Sequence, residues 1–594
     1  MSRKMWIGLW VLSVLMMMRG TVVTAQDNGR IDVNNYERTM QQMIFEVVNF
    51  HALGEFNLRV FQLVNASNDP LYIAPLLDVG YFTLGSNDLH FEINRVLSHL
   101  TGQPFGPNWT AYFNWAGEND IATPPGYDAF KGRLLATLID EDFQQFLYPG
   151  VEENARINLA EIVWGGVAVD GIPSLVNARQ ITPQAAMLEG ETLPQYCRED
   201  DCRYPAPDEL VFGVSINGDN RAYPLRVLNW HEMFNDVIGF APLYDAPGGD
   251  ALCNFRAPIV FDAIARDGDA WVNIIGTSPG CPVSDGWLAV DAVEWLDSTW
   301  DDVRPQLPDT NDGDIALWSD VRVAGRVVGQ PIMLAYCTLC GSGVLYNPVI
   351  DDLVVDGESL GTVALEFGST GLLMRSNKLM YDRTTFTVWN QMTGEPVVGK
   401  LVDSGIQLER LPVVVTDWAT WLDQHPDTSV LSLDTGYRRN YENGAAYADY
   451  FNRAELMFPV WQQNTEQFAN KDVVYTLLLN DTPKAYPLEY LIPEQVTNDV
   501  LAGTNLVLVS RETPQRDFFE PGGASVRAYQ RGDHSFAPGA SPFEVVDERG
   551  VVWAVTEDAL VSPDGDSLPR LPGSLAFWFG WYGFFPETQV YQPA

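Results

Sequence analysis

From Asn34 to about Phe146 apolar residues recur at three- and four-residue steps: Met40, Met43, Ile44 and Val47, then Phe56, Val60, Leu63 and Val64, then Ile93, Val96, Leu97 and Leu100. That period lines one face of a helix in each case. Asp69-Pro70 opens a further helix through Leu76 and Leu77, so the spacing predicts a small all-α domain over residues 26–150. After Asn158 the period shortens. Ile162-Val163-Trp164-Gly165-Gly166-Val167, Gly171-Ile172-Pro173 and most of the chain beyond them are short β-prone runs broken by Gly, Pro, Asp and Asn. The chain therefore reads as α+β, a small all-α N-terminal domain followed by a β-rich, internally duplicated domain pair.

The duplication rests on two ungapped blocks in the same order. Glu209 to Val237 aligns onto Asp472 to Val500, so that Arg221-Ala222-Tyr223-Pro224-Leu225 meets Lys484-Ala485-Tyr486-Pro487-Leu488. Leu411 to Thr428 aligns onto Leu571 to Thr588, pairing Trp418 with Trp578 and Trp421 with Trp581. Two such blocks predict two copies of one fold: the first over 155–432, with an acidic insertion at 245–330, a connecting segment over 433–470, and the second over 471–594. Residues common to both copies serve the fold; residues held by only one are the candidates for chemistry.

Composition narrows the partners. Lys and Arg total 36 against 78 Asp and Glu, a formal net charge of -42, and so acidic a surface repels phosphate backbones. Nucleic acid is excluded as an expected partner. Residues 1–25 carry Arg3 and Lys4 ahead of an apolar centre from Met5 to Met18 and Thr24-Ala25 before a cleavage point, the plan of a secretory signal peptide. The expectation is an exported protein, periplasmic, cell-surface or extracellular, with no membrane span after signal removal. Export permits disulfides, and proximity groups the six cysteines as Cys197 with Cys202, Cys253 with Cys281, and Cys337 with Cys340. The first two pairs read as structural staples.

The third pair stands between an apolar run, Pro331 to Tyr336, and the turn Gly341-Ser342-Gly343. Where the first copy has Trp230-His231-Glu232 the second has Pro493-Glu494-Gln495, and from Leu506 to Val526 it passes through Arg511 and Pro514 without a cysteine. Two thiolates and an imidazole suit a zinc or copper ion. The candidate metal site is thus His231, Cys337 and Cys340, with Glu232, Asp236, Tyr381, Asp382 and Arg383 as neighbours that could orient it. Two alternatives stand beside it: a non-catalytic extracellular binding module in which Cys337 and Cys340 form a structural disulfide, and a thiol-disulfide oxidoreductase in which Cys337 attacks and Cys340 resolves. No His-Glu-x-x-His or Gly-x-Ser-x-Gly motif occurs around these residues.

Trp164-Gly165-Gly166-Val167 with Asp170-Gly171-Ile172-Pro173, Arg221-Ala222-Tyr223-Pro224, Trp230-His231-Glu232 with Asn235-Asp236, Tyr336-Cys337-Thr338-Leu339-Cys340-Gly341-Ser342-Gly343, and Met380-Tyr381-Asp382-Arg383 with Trp389-Asn390-Gln391 together resemble the domain of unknown function 3179 family over about 157–594. The chain departs from that pattern where Asp245 to Gln330 separates the histidine block from the cysteine block. The resemblance groups the motifs and implies no activity. Leu100-Thr101-Gly102-Gln103-Pro104-Phe105-Gly106 with Trp109 is weakly similar to the ends of HEAT-type repeats.

Overall fold

The computed structural model describes residues 31–193, 202–296, 298–310, 321–442, 444–514 and 523–593. The signal-peptide segment and Cys197 lie outside them. Six helices, Tyr36–Leu53, Arg59–Ser67, Ile73–Tyr81, Asp88–Thr101, Trp109–Glu118 and Tyr127–Leu138, build the N-terminal domain. Asn35, Asn87 and Asn108 cap three of them by accepting from Arg38, His90 and Ala111 backbone N–H groups, which satisfies donors the first turn leaves open. In a HEAT array each helix pair touches only its neighbours. Here Ile73–Tyr81, apolar on nearly every side, is instead surrounded by Tyr36–Leu53, Asp88–Thr101, Trp109–Glu118 and Tyr127–Leu138. The HEAT-like expectation is not confirmed, because the helices gather round one central helix. No described helix is long and apolar enough to cross a membrane.

The β-rich region carries the duplication into three dimensions. In the first copy Val414–Asp417, Leu210–Ile216, Asp219–Pro224 and Ser429–Leu431 are neighbours in one sheet, and Met233–Ile238, Gln330–Cys337, Ser342–Asn347 and Glu409–Leu411 in another. The second copy repeats both orders with Gly573–Phe577, Val473–Leu479, Thr482–Pro487 and Gln589–Val590, and with Val496–Leu501, Thr504–Glu512, Ala524–Gln530 and Ser567–Leu571. In each, the last strand of the first set joins in parallel. Side chains repeat as well. Tyr223 donates to Asp236 at 2.8 Å and Tyr486 to Asp499 at 2.8 Å. Asn235 exchanges two bonds with the Phe367 backbone, and Asn498 does the same with Phe536. Trp421 and Trp581 donate to Thr428 and Thr588, both at 2.8 Å. Identical bonds at aligned positions are what a shared fold requires of those residues.

Inside the first copy, between Met233–Ile238 and Gln330–Cys337, lies the insertion, a seven-stranded sheet running from Phe240 to Val327 with its own core around Phe255, Phe261, Val272, Ile274 and Leu288. Cys253 and Cys281 stand at disulfide distance there, their Cα atoms 5.2 Å apart. Arg221 donates to the Ala257 carbonyl and Arg256 to that of Asp427, which ties the insertion to the first copy. The helical domain packs on the same copy through Phe146 against Tyr381 and on the connecting segment through Phe113 against Trp461.

Candidate functional site

Gln330–Cys337 and Ser342–Asn347 form an antiparallel hairpin with Cys337 opposite Ser342. Gly341 lies at φ 58°, a conformation that favours glycine, and a Cβ on Gly343 would stand 2.0 Å from the Phe212 ring. The two glycines thus permit the turn and the close packing beneath it. Cys337 and Cys340 are 1% and 0% exposed, at disulfide distance, with Cα atoms 5.6 Å apart. The Cys340 Sγ also lies 3.3 Å from Ser342 Oγ. Three elements close over the loop: Tyr450 donates to the Leu339 carbonyl at 2.6 Å, Phe577 N–H donates to the Cys340 carbonyl at 2.8 Å, and Gly580 packs directly on Cys340.

His231 ends the helix Leu225–His231, where Glu232 turns the chain at φ 54°. Its Nδ1 is 2.9 Å from the Pro173 carbonyl and its Nε2 is 2.6 Å from the Tyr441 hydroxyl. A carbonyl only accepts, so Nδ1 carries the proton and Nε2 accepts from Tyr441. Burial pushes the imidazole pKa down to about 4, in keeping with a neutral ring.

The expected His231–Cys337–Cys340 centre does not assemble. Among the described residues the one group of three or more His, Cys, Asp and Glu ligand atoms that gather within 4.8 Å of one another is that of His534, Asp547 and Glu548. The backbones do meet, since Tyr336 N–H donates to the Glu232 carbonyl at 2.7 Å. The side chains diverge. The imidazole leaves the helix end toward Pro173 and Tyr441, while the sulfurs face each other in the core shared with Leu379, Tyr381, Tyr450 and Phe579.

The second copy explains why. At the position of His231, Glu494 accepts from the Tyr591 hydroxyl at 2.9 Å, so imidazole and carboxylate each hold a tyrosine from the segment after the parallel strand. At the position of Cys337, Arg511 stands opposite Ser525. It donates to Asp417 at 3.1 Å and to Thr420 at 2.5 Å. The second aligned block places Asp417 and Thr420 where Phe577 and Gly580 stand. Each copy's hairpin therefore docks on the other copy's helix start, through the cysteine loop in one direction and through an arginine in the other.

The remaining predicted neighbours divide. Asp236 accepts from Arg221 and Tyr223, as Asp499 does from Lys484 and Tyr486. Asp382 accepts from Trp389, as Asp547 does from Trp553. Both serve the duplicated fold and do not orient His231. Glu232 instead pairs with Lys378 at 3.0 Å, both nearly inaccessible, where the second copy has Gln495. Burial pushes the Lys378 amine down, opposed by the Glu232 charge. Tyr381 and Arg383 converge on Asp170, at 2.7 and 2.8 Å. Lys378 and Asp170 are not among the site residues the sequence points to; a lysine directly before the apolar run Leu379-Met380-Tyr381 is the available signal for the first.

A family model described as protein of unknown function (DUF3179) matches residues 169–244 and 314–588, leaving out most of the insertion. No curated protein and no solved structure matches the chain.

Proposed function

Because the chain belongs to the DUF3179 family, whose name carries no activity, we propose a function from the geometry: an exported, non-catalytic binding scaffold in which Cys337–Cys340 is a structural disulfide. The observation that carries this reading is that both ring nitrogens of His231 and both sulfurs are engaged inside the protein. The aligned Glu494 and Arg511 do the same joining work without imidazole or sulfur. A three-ligand metal site needs an accessible open position, and a redox pair needs an exposed attacking sulfur; residues at 0–1% exposure supply neither. The acidic surface, net charge -42, favours cationic over anionic ligands.

Metal content and thiol reactivity test it. Metal stoichiometry in the purified full chain should be the same in wild type, His231→Ala and Cys337→Ser. Without reductant the folded protein should yield no titratable thiol. Loss of a bound metal in both variants would overturn the proposal in favour of the metal centre. Rapid reduction of Cys337–Cys340 in the folded chain would favour the oxidoreductase. What favours that second reading is that the first copy alone carries the Cys-x-x-Cys pair, together with the buried Glu232–Lys378 pair that the second copy lacks.

A further inference from the structure

We propose that His534, Asp547 and Glu548 in the second copy form a binding site for one divalent transition-metal ion, independently of the cysteine pair. The His534 Nδ1 lies 3.4 Å from Glu548 Oε1 and 3.7 Å from Asp547 Oδ2. Ligand bonds of about 2.0–2.2 Å in a tetrahedral arrangement set donor atoms roughly 3.4 Å apart, so the three atoms already stand near the spacing of one face of a coordination shell. His534 Nδ1 is itself shielded from solvent and faces these two carboxylates, with Glu548 its nearer partner.

The opposite oxygen of each carboxylate is fixed. Ser535 N–H holds Glu548 Oε2 at 3.0 Å, while Arg549 and Val551 N–H groups hold Asp547 Oδ1 at 2.9 and 2.8 Å. Backbone donors that orient a ligand from behind are characteristic support for a metal site. His534 itself is pinned by its N–H on the Arg531 carbonyl and packs against Phe536 and Trp553. The first copy supplies the comparison. Its Asn235–Phe367 and Trp389–Asp382 bonds match Asn498–Phe536 and Trp553–Asp547, so Leu365 occupies the place of His534 and Arg383 that of Glu548. Only the structural aspartate is common; the second copy adds an imidazole and a carboxylate that the fold does not demand. One nitrogen and two oxygens suit Zn²⁺ or Mn²⁺ better than Ca²⁺ or Mg²⁺, which take all-oxygen sets.

The competing cation is Arg549, which donates to Asp547 Oδ2 at 2.8 Å with its side chain 57% exposed. An ion entering the site displaces that exposed guanidinium. Removing it therefore tightens binding, an effect opposite to that of removing a ligand. The test is Zn²⁺ titration by calorimetry of the untagged, chelator-stripped full chain in excess Mg²⁺. Wild type should take up one Zn²⁺ in a saturable step. Glu548→Gln and His534→Ala should weaken it more than about tenfold, beyond what loss of an outer-shell partner does at its mildest, and Arg549→Gln should strengthen it. Circular dichroism confirms folding of each variant, and Glu548→Gln preserves shape if His534→Ala does not fold. Absence of saturable binding in wild type, or equal affinity in wild type and Glu548→Gln, would overturn the site. Neither result would bear on His231, Cys337 or Cys340.

Discussion

Gly580→Val probes the joint between the copies. A Cβ built on Gly580 would stand 2.6 Å from the Cys340 Cβ and 3.3 Å from Asn377 Oδ1. Carbon atoms in contact sit about 3.5–4.0 Å apart, so the overlap is roughly 1 Å, and it falls on atoms fixed to two backbones, where no rotamer change relieves it. Replacing glycine by valine in a helix recovers only about 0.3 kcal/mol of propensity. Overpacking of this kind costs about 1–3 kcal/mol, so the clash wins and the variant loses about 1–3 kcal/mol. Urea unfolding of the full chain, followed by tryptophan fluorescence, reads the loss. A double-mutant cycle sharpens it: with Cys337→Ala throughout, so that no disulfide forms, Cys340→Gly removes the opposing Cβ and should restore at least about 0.5 kcal/mol to Gly580→Val. Additive effects, or a valine variant as stable as wild type, would refute the packing of the cysteine loop on the second copy.

Two further outcomes are expected. His231, held neutral with its pKa lowered to about 4, binds no proton in the folded chain where the unfolded chain does. Its contribution is therefore fully present above about pH 6.5 and is lost as pH falls toward 4, on the order of 3 kcal/mol; His231→Gln should flatten denaturation midpoints across that window, and an unchanged slope would contradict the assignment. For the buried pair, Lys378→Met alone should cost about 3–5 kcal/mol by stranding Glu232, whereas Lys378→Met with Glu232→Gln, the residue the second copy carries at 495, should recover most of it. Equal melting temperatures for the single and double variants would remove the coupling.

How much of the fold and the site was legible in the sequence depends on where each residue's partners lie. Periodicity located the helical domain and the β-rich region, because burial of one face leaves a spacing that survives without coordinates. The aligned blocks revealed the duplication, and Tyr-Pro, Asn-Asp and Trp kept the same bonds in both copies. The difference at 231 and 337 was equally legible, but its meaning was not. That Glu494 takes a tyrosine as His231 does, and that Arg511 docks on Asp417 as the cysteine loop docks on Gly580, depends on contacts between residues far apart in the chain. A side chain lost from one copy can be replaced by another doing the same joining task. Helix contacts likewise leave a repeat array unconfirmed, and periodicity alone does not distinguish a central helix from a stacked one. The surroundings of His534 are not legible in the sequence, because the carboxylates it meets lie beyond the next strand pairing.

Central to this picture is a bond between Cys337 and Cys340 within the joint between the two copies. Non-reducing peptide mapping by mass spectrometry, after alkylating every free thiol in denaturant, tests it most directly. The prediction is a linked Cys337–Cys340 peptide carrying no alkyl group, with no metal released on unfolding from a His534→Ala chain. Alkylation of both sulfurs, accompanied by one equivalent of zinc or copper freed from that same variant, would contradict it.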